Sequence, residues 1–358
     1  WVADMDFRSP APVIEALAQR VAHGVFGYGE EPAELKELLV QRMASLYGWQ
    51  VQPAEILFVP GVITGFNWAL HALGTPGMQA AVQTPVYPPF LTAPRNAGMQ
   101  RLDLPLLTTP GGHAEIDFDA FEQAVSAAKV RALILCNPHN PVGRVWSREE
   151  LERMAAICLR HRVSIVSDEI HCDLIFSESR HIPIASLSPE ISRQTVTLMA
   201  PSKTFNVAGL DCSFAIVQDE GLRKQMNLAR LGLVKSPNLL GFTAAVAAYR
   251  DGVEWLAELL VYLQANRDFT VGYIRENLPA IRVCPPEATY LAWLDCRALE
   301  LPTSPAEFFL RSARVALNEG RDFGPGGEGY VRLNFGCPRS VLQEALERMR
   351  RSLEGQPR

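Results

Sequence analysis

One lysine, Lys203, stands in the stretch TLMAPSKTFNVAGL, where an apolar run stops and small hydroxyl and amide residues begin. A lysine in such a setting suits a covalent anchor, because an amine tied up as a Schiff base is neutral and avoids the cost of burying an ammonium. Other short apolar runs end in residues of comparable chemical interest. ILFVPG opens into Gly61, Val62, Ile63 and Thr64, and AAVQTP ends near Tyr87. RALILC leads to Asn137 and Asn140, SIVS to Asp168 and His171, and TVTLMA to Ser202 and Lys203. Singly, each has an ordinary reading as a turn amide, a solvated carboxylate or a core aromatic. An aromatic ring, an amide, a carboxylate, a hydroxyl and an amine at successive run ends call for a common cause.

The runs themselves are short and almost continuously apolar, the pattern of strands buried on both faces. Helical patterns alternate with them. SREELERMAAICLRHR carries a capping box, Ser147 with Glu150, ahead of an apolar stripe, and Pro32 suits the first turn of PAELKELLVQRMASLYGW. This alternation predicts a mostly parallel sheet flanked by helices, whose strand ends converge on one ligand-binding crevice. From about Val253 the texture becomes α+β, with a long helix, TYLAWLDC, a helical PAEFFLRSARVAL, the turn GPGGEG, YVRLNFG and a last helix near SVLQEALERMRRSL. We therefore expect a large domain over residues 25–252 and a smaller one formed by 1–24 with 253–358, closely packed because no Gly/Ser-rich linker separates them.

Pyridoxal 5′-phosphate (PLP) supplies the common cause. It needs an amine for its aldehyde, a carboxylate to keep its ring nitrogen protonated, a donor for its phenolate oxygen, a stacking partner and a phosphate cradle. Lys203 fills the first role and Asp168 the second, by opposite-charge attraction. Asn140 donates to the phenolate oxygen and Tyr87 stacks on the ring. Backbone N–H groups of Val62 and Ile63 at a helix start, with the Ser202 hydroxyl, receive the phosphate.

The motifs PSKTFNVAG, LCNPHNPVGRVW, VSDEIHCDL, WVADMDF, PVYPPF, EATYLAWLD and VRLNFGCPR together resemble the fold-type I PLP enzymes of the class I/II aminotransferase group. Within it they are most similar to the MalY/PatB-type cystathionine β-lyases, or C–S lyases. The resemblance spans essentially the whole chain. It implies a mostly parallel seven-stranded sheet in an α/β large domain, with a smaller α+β domain. It also implies that Tyr28, in FGYGE, reaches the phosphate of a neighbouring subunit's cofactor in a homodimer, and that Arg332, in VRLNFG, grips the substrate carboxylate beside Tyr87 and Asn140. A guanidinium fork suits that task. Ordinary aminotransferases of the group carry a tyrosine and an arginine where this chain has His171 and Asp211; the histidine agrees with the lyase branch. The implied reaction is β-elimination of L-cystathionine or a related S-substituted cysteine to thiol, pyruvate and ammonia, with Lys203 as the base. An aminotransferase and a PLP-binding regulatory protein are the alternatives, because one scaffold serves several chemistries.

Composition bounds the rest. Across 358 residues, 48% are hydrophobic and 20% charged, as in ordinary globular proteins. A net charge of −5 gives no reason to bind a nucleic acid. No apolar run reaches the roughly 18 to 20 residues of a bilayer span, so no membrane partner is expected. The 7 cysteines are scattered, with no C-x-x-C, which argues for a reducing, cytoplasmic setting. No metal site is expected, since His171 and Cys172 lack further ligands at zinc spacing. Arg348, Arg350 and Arg351 read as a solvated helix face. The chain begins at Trp1 without a methionine, so a preceding segment is expected.

Overall fold

The apolar runs pair edge to edge. Strands β1 (Ile56–Val59), β2 (Gln79–Thr84), β3 (Gln100–Pro105), β4 (Val130–Cys136), β5 (Ser164–Asp168), β6 (Thr195–Met199) and β7 (Ser213–Ile216) form one seven-stranded sheet in the order β1–β7–β6–β5–β4–β2–β3. Only β7 runs against the others. In this computed structural model, which describes residues 3–127 and 129–354, every residue of β5 and β6 is buried. Continuous hydrophobicity follows from cover on both faces. Along β4, Ile134 joins the core under the Val62–Leu73 helix, while Leu133 and Leu135 join the one under Phe118–Ala127 and Arg148–Arg160.

Local chemistry sets the helix ends. Ser147 Oγ accepts the Glu150 N–H at 3.2 Å and Glu150 Oε2 accepts the Ser147 N–H at 2.8 Å, the reciprocal box read from sequence. Only Pro60 and Gly61 separate the end of β1 from the Val62–Leu73 helix, and Gly65 lets it lie tight on β6. A Cβ there would stand 2.6 Å from Leu198 Cδ2. Pro32 occupies the N-cap position of Ala33–Tyr47, one residue before the first turn where we expected it.

A second sheet, of β8 (Arg282–Val283), β9 (Leu291–Asp295), β10 (Asn318–Glu319) and β11 (Tyr330–Asn334), is antiparallel in the order β8–β9–β11–β10. The helices Val253–Asn277 and Arg339–Glu354 share its core. Arg348, Arg350 and Arg351 pair with Glu344, Glu347 and Glu354 on their own helix. PAEFFLRSARVAL is helical only from Pro305 to Ala313, closing in a π turn, because Arg314 turns left-handed at φ 56°.

An N-terminal strap joins the two sheets. Asn206 Oδ1 accepts the Met5 N–H at 3.1 Å, and its amide donates to the Met5 and Phe7 carbonyls at 2.8 Å. On the other side the Asp6 N–H donates to Gly336 O at 2.9 Å. Trp1 and Val2 of the WVADMDF motif lie outside the described residues. Among those described, no helix is long and apolar enough to cross a membrane.

Candidate active site

The carboxyl ends of β1, β2, β4, β5 and β6 open on one cavity of about 680 Å³. Tyr87, Asn140, Asp168, His171, Ser202, Lys203, Val62, Ile63 and Arg332 all line it, so nine of the ten residues given a site role from the sequence meet there, with Gly61 and Thr64 but without Asn137. Tyr28 does not; it is fully exposed and absent from the lining of its own chain's cavity.

Strand alternation separates two adjacent carboxylates. Asp168, last residue of β5, faces the cavity and accepts the Ile170 N–H at 3.0 Å. Burial pushes its carboxyl up to about 7, against that hydrogen bond. Glu169 turns away, accepting the Ser167 hydroxyl at 2.8 Å and lying 2.8 Å from His181 Nε2. Asp168 is thus a buried acid with few polar partners, and a cation against it would restore its charge.

Lys203 belongs to the short Pro201–Thr204 helix that follows β6, and its Nζ donates to the Ala3 carbonyl of the strap. Burial lowers its pKa, which favours the neutral amine a carbonyl requires. His171 packs edge-on against Tyr290 with ring centroids 6.1 Å apart. Burial first, then Lys203, push its ring down to about 3, so it is neutral. Its Nδ1 has no hydrogen-bond partner among the described residues.

Arg332 stands on β11, in the second sheet. Its Nη1 donates to Asn140 Oδ1 at 2.9 Å and its Nη2 to Asn318 Oδ1 at 2.8 Å, while its Cζ lies 5.0 Å from the Phe323 ring centroid. Burial lowers its pKa to about 10, which leaves it protonated at neutral pH. Asn140 is fixed in turn, since its carbonyl accepts the Tyr87 N–H at 3.0 Å. Tyr87 caps the Pro88–Asn96 helix, and burial raises its phenol above the ordinary value.

Gly61, Val62 and Ile63 start a 12-residue helix whose first N–H groups lack intrahelical acceptors, a site for an anion. Ser202, Ser213 and Asp211 also line the cavity. These residues fit PLP: an amine whose pKa burial lowers, a carboxyl that gains from a cationic ring nitrogen, and a helix start for the phosphate. Asp211, where aminotransferases of the group carry an arginine, lines the cavity and adds no positive charge.

Sequence reasoning missed Asn318 and Phe323. The β10–β11 register sets Asn318 opposite Arg332, but a two-residue strand carries no periodicity. It also missed Asn206, whose left-handed φ of 57° is a conformation that asparagine tolerates.

The likeness to known proteins extends from single residues to the whole chain. It is 43% identical to cystathionine β-lyase PatB of Bacillus subtilis over 99% of its own length and 92% of that protein's. The crystal structure of cystalysin from Treponema denticola, which contains a pyridoxal 5′-phosphate cofactor, superposes with a TM-score of 0.95 at 34% identity, covering 99% of this chain and 91% of that one. The PLP-bound C–S lyase from Staphylococcus hominis gives a TM-score of 0.94 at 33% identity, with 100% and 94% covered. The model of aminotransferase class I and II matches residues 3–349. With the lysine, the acid and the arginine converging at the strand ends of a sheet of this topology, the chain belongs to the aminotransferase class I and II family.

Proposed function

We propose that the protein is a PLP-dependent carbon–sulfur lyase that converts L-cystathionine or related S-substituted cysteines to thiol, pyruvate and ammonia. The observation that carries this reading is the meeting of Lys203, Asp168, neutral His171 and Arg332 around one cavity, in a chain that is similar to lyases along nearly all of its length. PLP, when bound, supplies a carbonyl for the substrate amine and an electron sink that acidifies the α-proton and lets the β-substituent leave. Lys203 would anchor the cofactor, and its Nζ is the base for the α-proton. Asp168 would hold the ring nitrogen in its protonated form when PLP is bound. Asn140, Tyr87 and His171 would hold the ring, and Val62, Ile63 and Ser202 would hold the phosphate. Arg332 grips the substrate carboxylate and keeps the α-hydrogen within reach of Lys203, a positioning effect.

A homodimer is part of the proposal, with Tyr28 completing the neighbouring site. Its support is apolar exposure: Val21, Val25 and Phe26 near Tyr28, and Leu228 at the end of the Glu220–Ala229 helix that packs on Val62–Leu73, with Leu231 and Leu233 just after it. The domain division at 25–252 and 253–358 follows the two sheets. The Ala11–His23 helix, grouped by sequence with the smaller domain, shares a core with Leu239–Asp251 and is better assigned to the larger one. The described cysteines are all free, which supports a cytoplasmic setting.

The test is incubation of the PLP-loaded enzyme with L-cystathionine and no keto-acid acceptor. Pyruvate should accumulate well beyond one equivalent per site, and Lys203→Ala should abolish it. Turnover that begins only when an acceptor is added would overturn the reading in favour of an aminotransferase.

A further inference from the structure

Three acidic residues line the described cavity: Asp168, Asp211 and Asp322. The first serves the ring nitrogen, and the second stands where aminotransferases of the group carry an arginine. Asp322 remains without a task. It sits in the Gly320–Phe323 turn that directly follows β10, so the segment 318–323 gives Arg332 both its Asn318 acceptor and its Phe323 ring. Asp322 is therefore part of the wall that holds the carboxylate-binding guanidinium.

Exposure sets it apart from its neighbours on that wall. Asn318 is half-buried, Phe323 and Arg332 are buried, and Asp322 is exposed to solvent while still lining the cavity. Its carboxylate makes no hydrogen bond or ion pair with another described residue. The adjacent cation, Arg321, lies 3.8 Å from Glu319 instead. An amino acid fixed by Arg332 at its carboxylate and by the Lys203 region at its amine has one long substituent left, the sulfur-bearing chain. That chain must run toward solvent, and the exposed charge lining the cavity on the Arg332 side is negative.

We propose that Asp322 receives an ammonium group at the far end of the substrate's sulfur substituent, so that the site prefers S-substituted cysteines carrying a second amine over neutral S-alkyl cysteines. The proposal rests on the lyase reading and names its substrate class. An exposed carboxylate lining a cavity adds a modest, salt-sensitive attraction.

The decisive probes are S-(2-aminoethyl)-L-cysteine and S-propyl-L-cysteine, which are nearly isosteric and differ in a terminal ammonium against a methyl. Their thiolates differ as leaving groups, so the informative quantity is how the ratio of kcat/KM changes between enzymes, where that difference cancels. With the PLP-loaded enzyme, Asp322→Asn should lower the aminoethyl-to-propyl ratio by about three- to tenfold, and Asp322→Glu should restore most of it. High salt should lower the ratio in the wild type and leave it unchanged in Asp322→Asn. A ratio unaltered by Asp322→Asn overturns the proposal. If the wild type releases pyruvate from neither probe, the lyase reading fails, and the subsite is judged by binding alone, from the cofactor's absorbance change. In that case a preference of affinity for the aminoethyl compound that Asp322→Asn removes keeps the subsite, and equal effects on both compounds end it.

Discussion

Asp173 Oδ2 accepts the hydroxyl hydrogen of Thr204 at 2.9 Å, which ties the turn after Asp168 to the residue after Lys203. The other Asp173 oxygen pairs with the guanidinium of Arg42, which lies 5.3 Å from the Tyr249 ring centroid. One buried carboxylate thereby joins three elements beside the acid and the amine of the site. Thr204→Val keeps the shape and removes the bond, at a cost of about 1–2 kcal/mol. Arg42→Met leaves Asp173 buried and unpaired and should cost about 3–5 kcal/mol. Chemical denaturation measures both. If the tie positions Lys203, Thr204→Val also shifts the pH at which the absorbance of the bound cofactor changes, whereas a purely structural bond would leave that pH unmoved.

Arg332 should dominate affinity for the substrate carboxylate. Lysine keeps the charge but not the fork, and it cannot donate to Asn140, Asn318 and a carboxylate in one plane. Arg332→Lys is expected to lower kcat/KM by about 10²-fold, mostly through KM, a loss of about 2.7 kcal/mol. Cofactor content, read from absorbance, should stay near that of the wild type, because no PLP contact is assigned to this residue. Steady-state kinetics on L-cystathionine checks the first expectation and the PLP-to-protein ratio the second.

How far these residues were legible in the sequence depended on how local their signals were. β4, β5 and β6 announce themselves because both faces are covered and each run is apolar throughout. β3 escaped notice as an edge strand whose Gln100 and Arg101 are exposed. Asp168 was legible as a strand-end acid, but its separation from Glu169 depends on the partners Ser167 and His181. Asn206 and Asn318 act across 201 and 14 residues respectively, and nothing adjacent to either marks its partner. Arg332 and Tyr28 came from family resemblance rather than from any pattern in the chain.

Stability of the cofactor-free protein should depend on pH with a sign set by Asp168. Burial pushes its carboxyl up to about 7, so the folded protein holds that proton more tightly than the unfolded chain does. The gain is complete below the ordinary carboxylate value and gone once pH has risen through about 7. His171 and His139 act in the opposite sense. Burial, reinforced by Lys203 in one case and Arg144 in the other, pushes both down to about 3; their contribution is complete above the ordinary imidazole value and lost as pH falls toward 3. Asp168→Asn should therefore remove the stability loss between pH 5 and 8, on the order of 2–4 kcal/mol, while weakening PLP binding. Thermal melts of the two cofactor-free proteins across that range, with PLP titrations alongside, test it. An alkaline loss that persists in Asp168→Asn would assign the effect to other groups.

Tyr28 offers a test of assembly that activity alone does not. It is fully exposed and lies beside the exposed Val25 and Phe26, an arrangement with little reason to exist in a monomer. If a second copy covers this segment and presents the phenol to a bound phosphate, Tyr28→Phe removes one hydrogen bond to an anion. The expected loss is about 1.5–3 kcal/mol in PLP affinity, with the dimer intact. Phe26→Asp should instead break the association, because it places a charge in an apolar contact, and sedimentation should then report monomers. The two variants must agree in one respect: PLP affinity falls in the Phe26→Asp monomer at least as far as in the Tyr28→Phe dimer. A monomer that binds PLP as tightly as the wild type would show each cleft to be complete on its own, and would remove Tyr28 from the site.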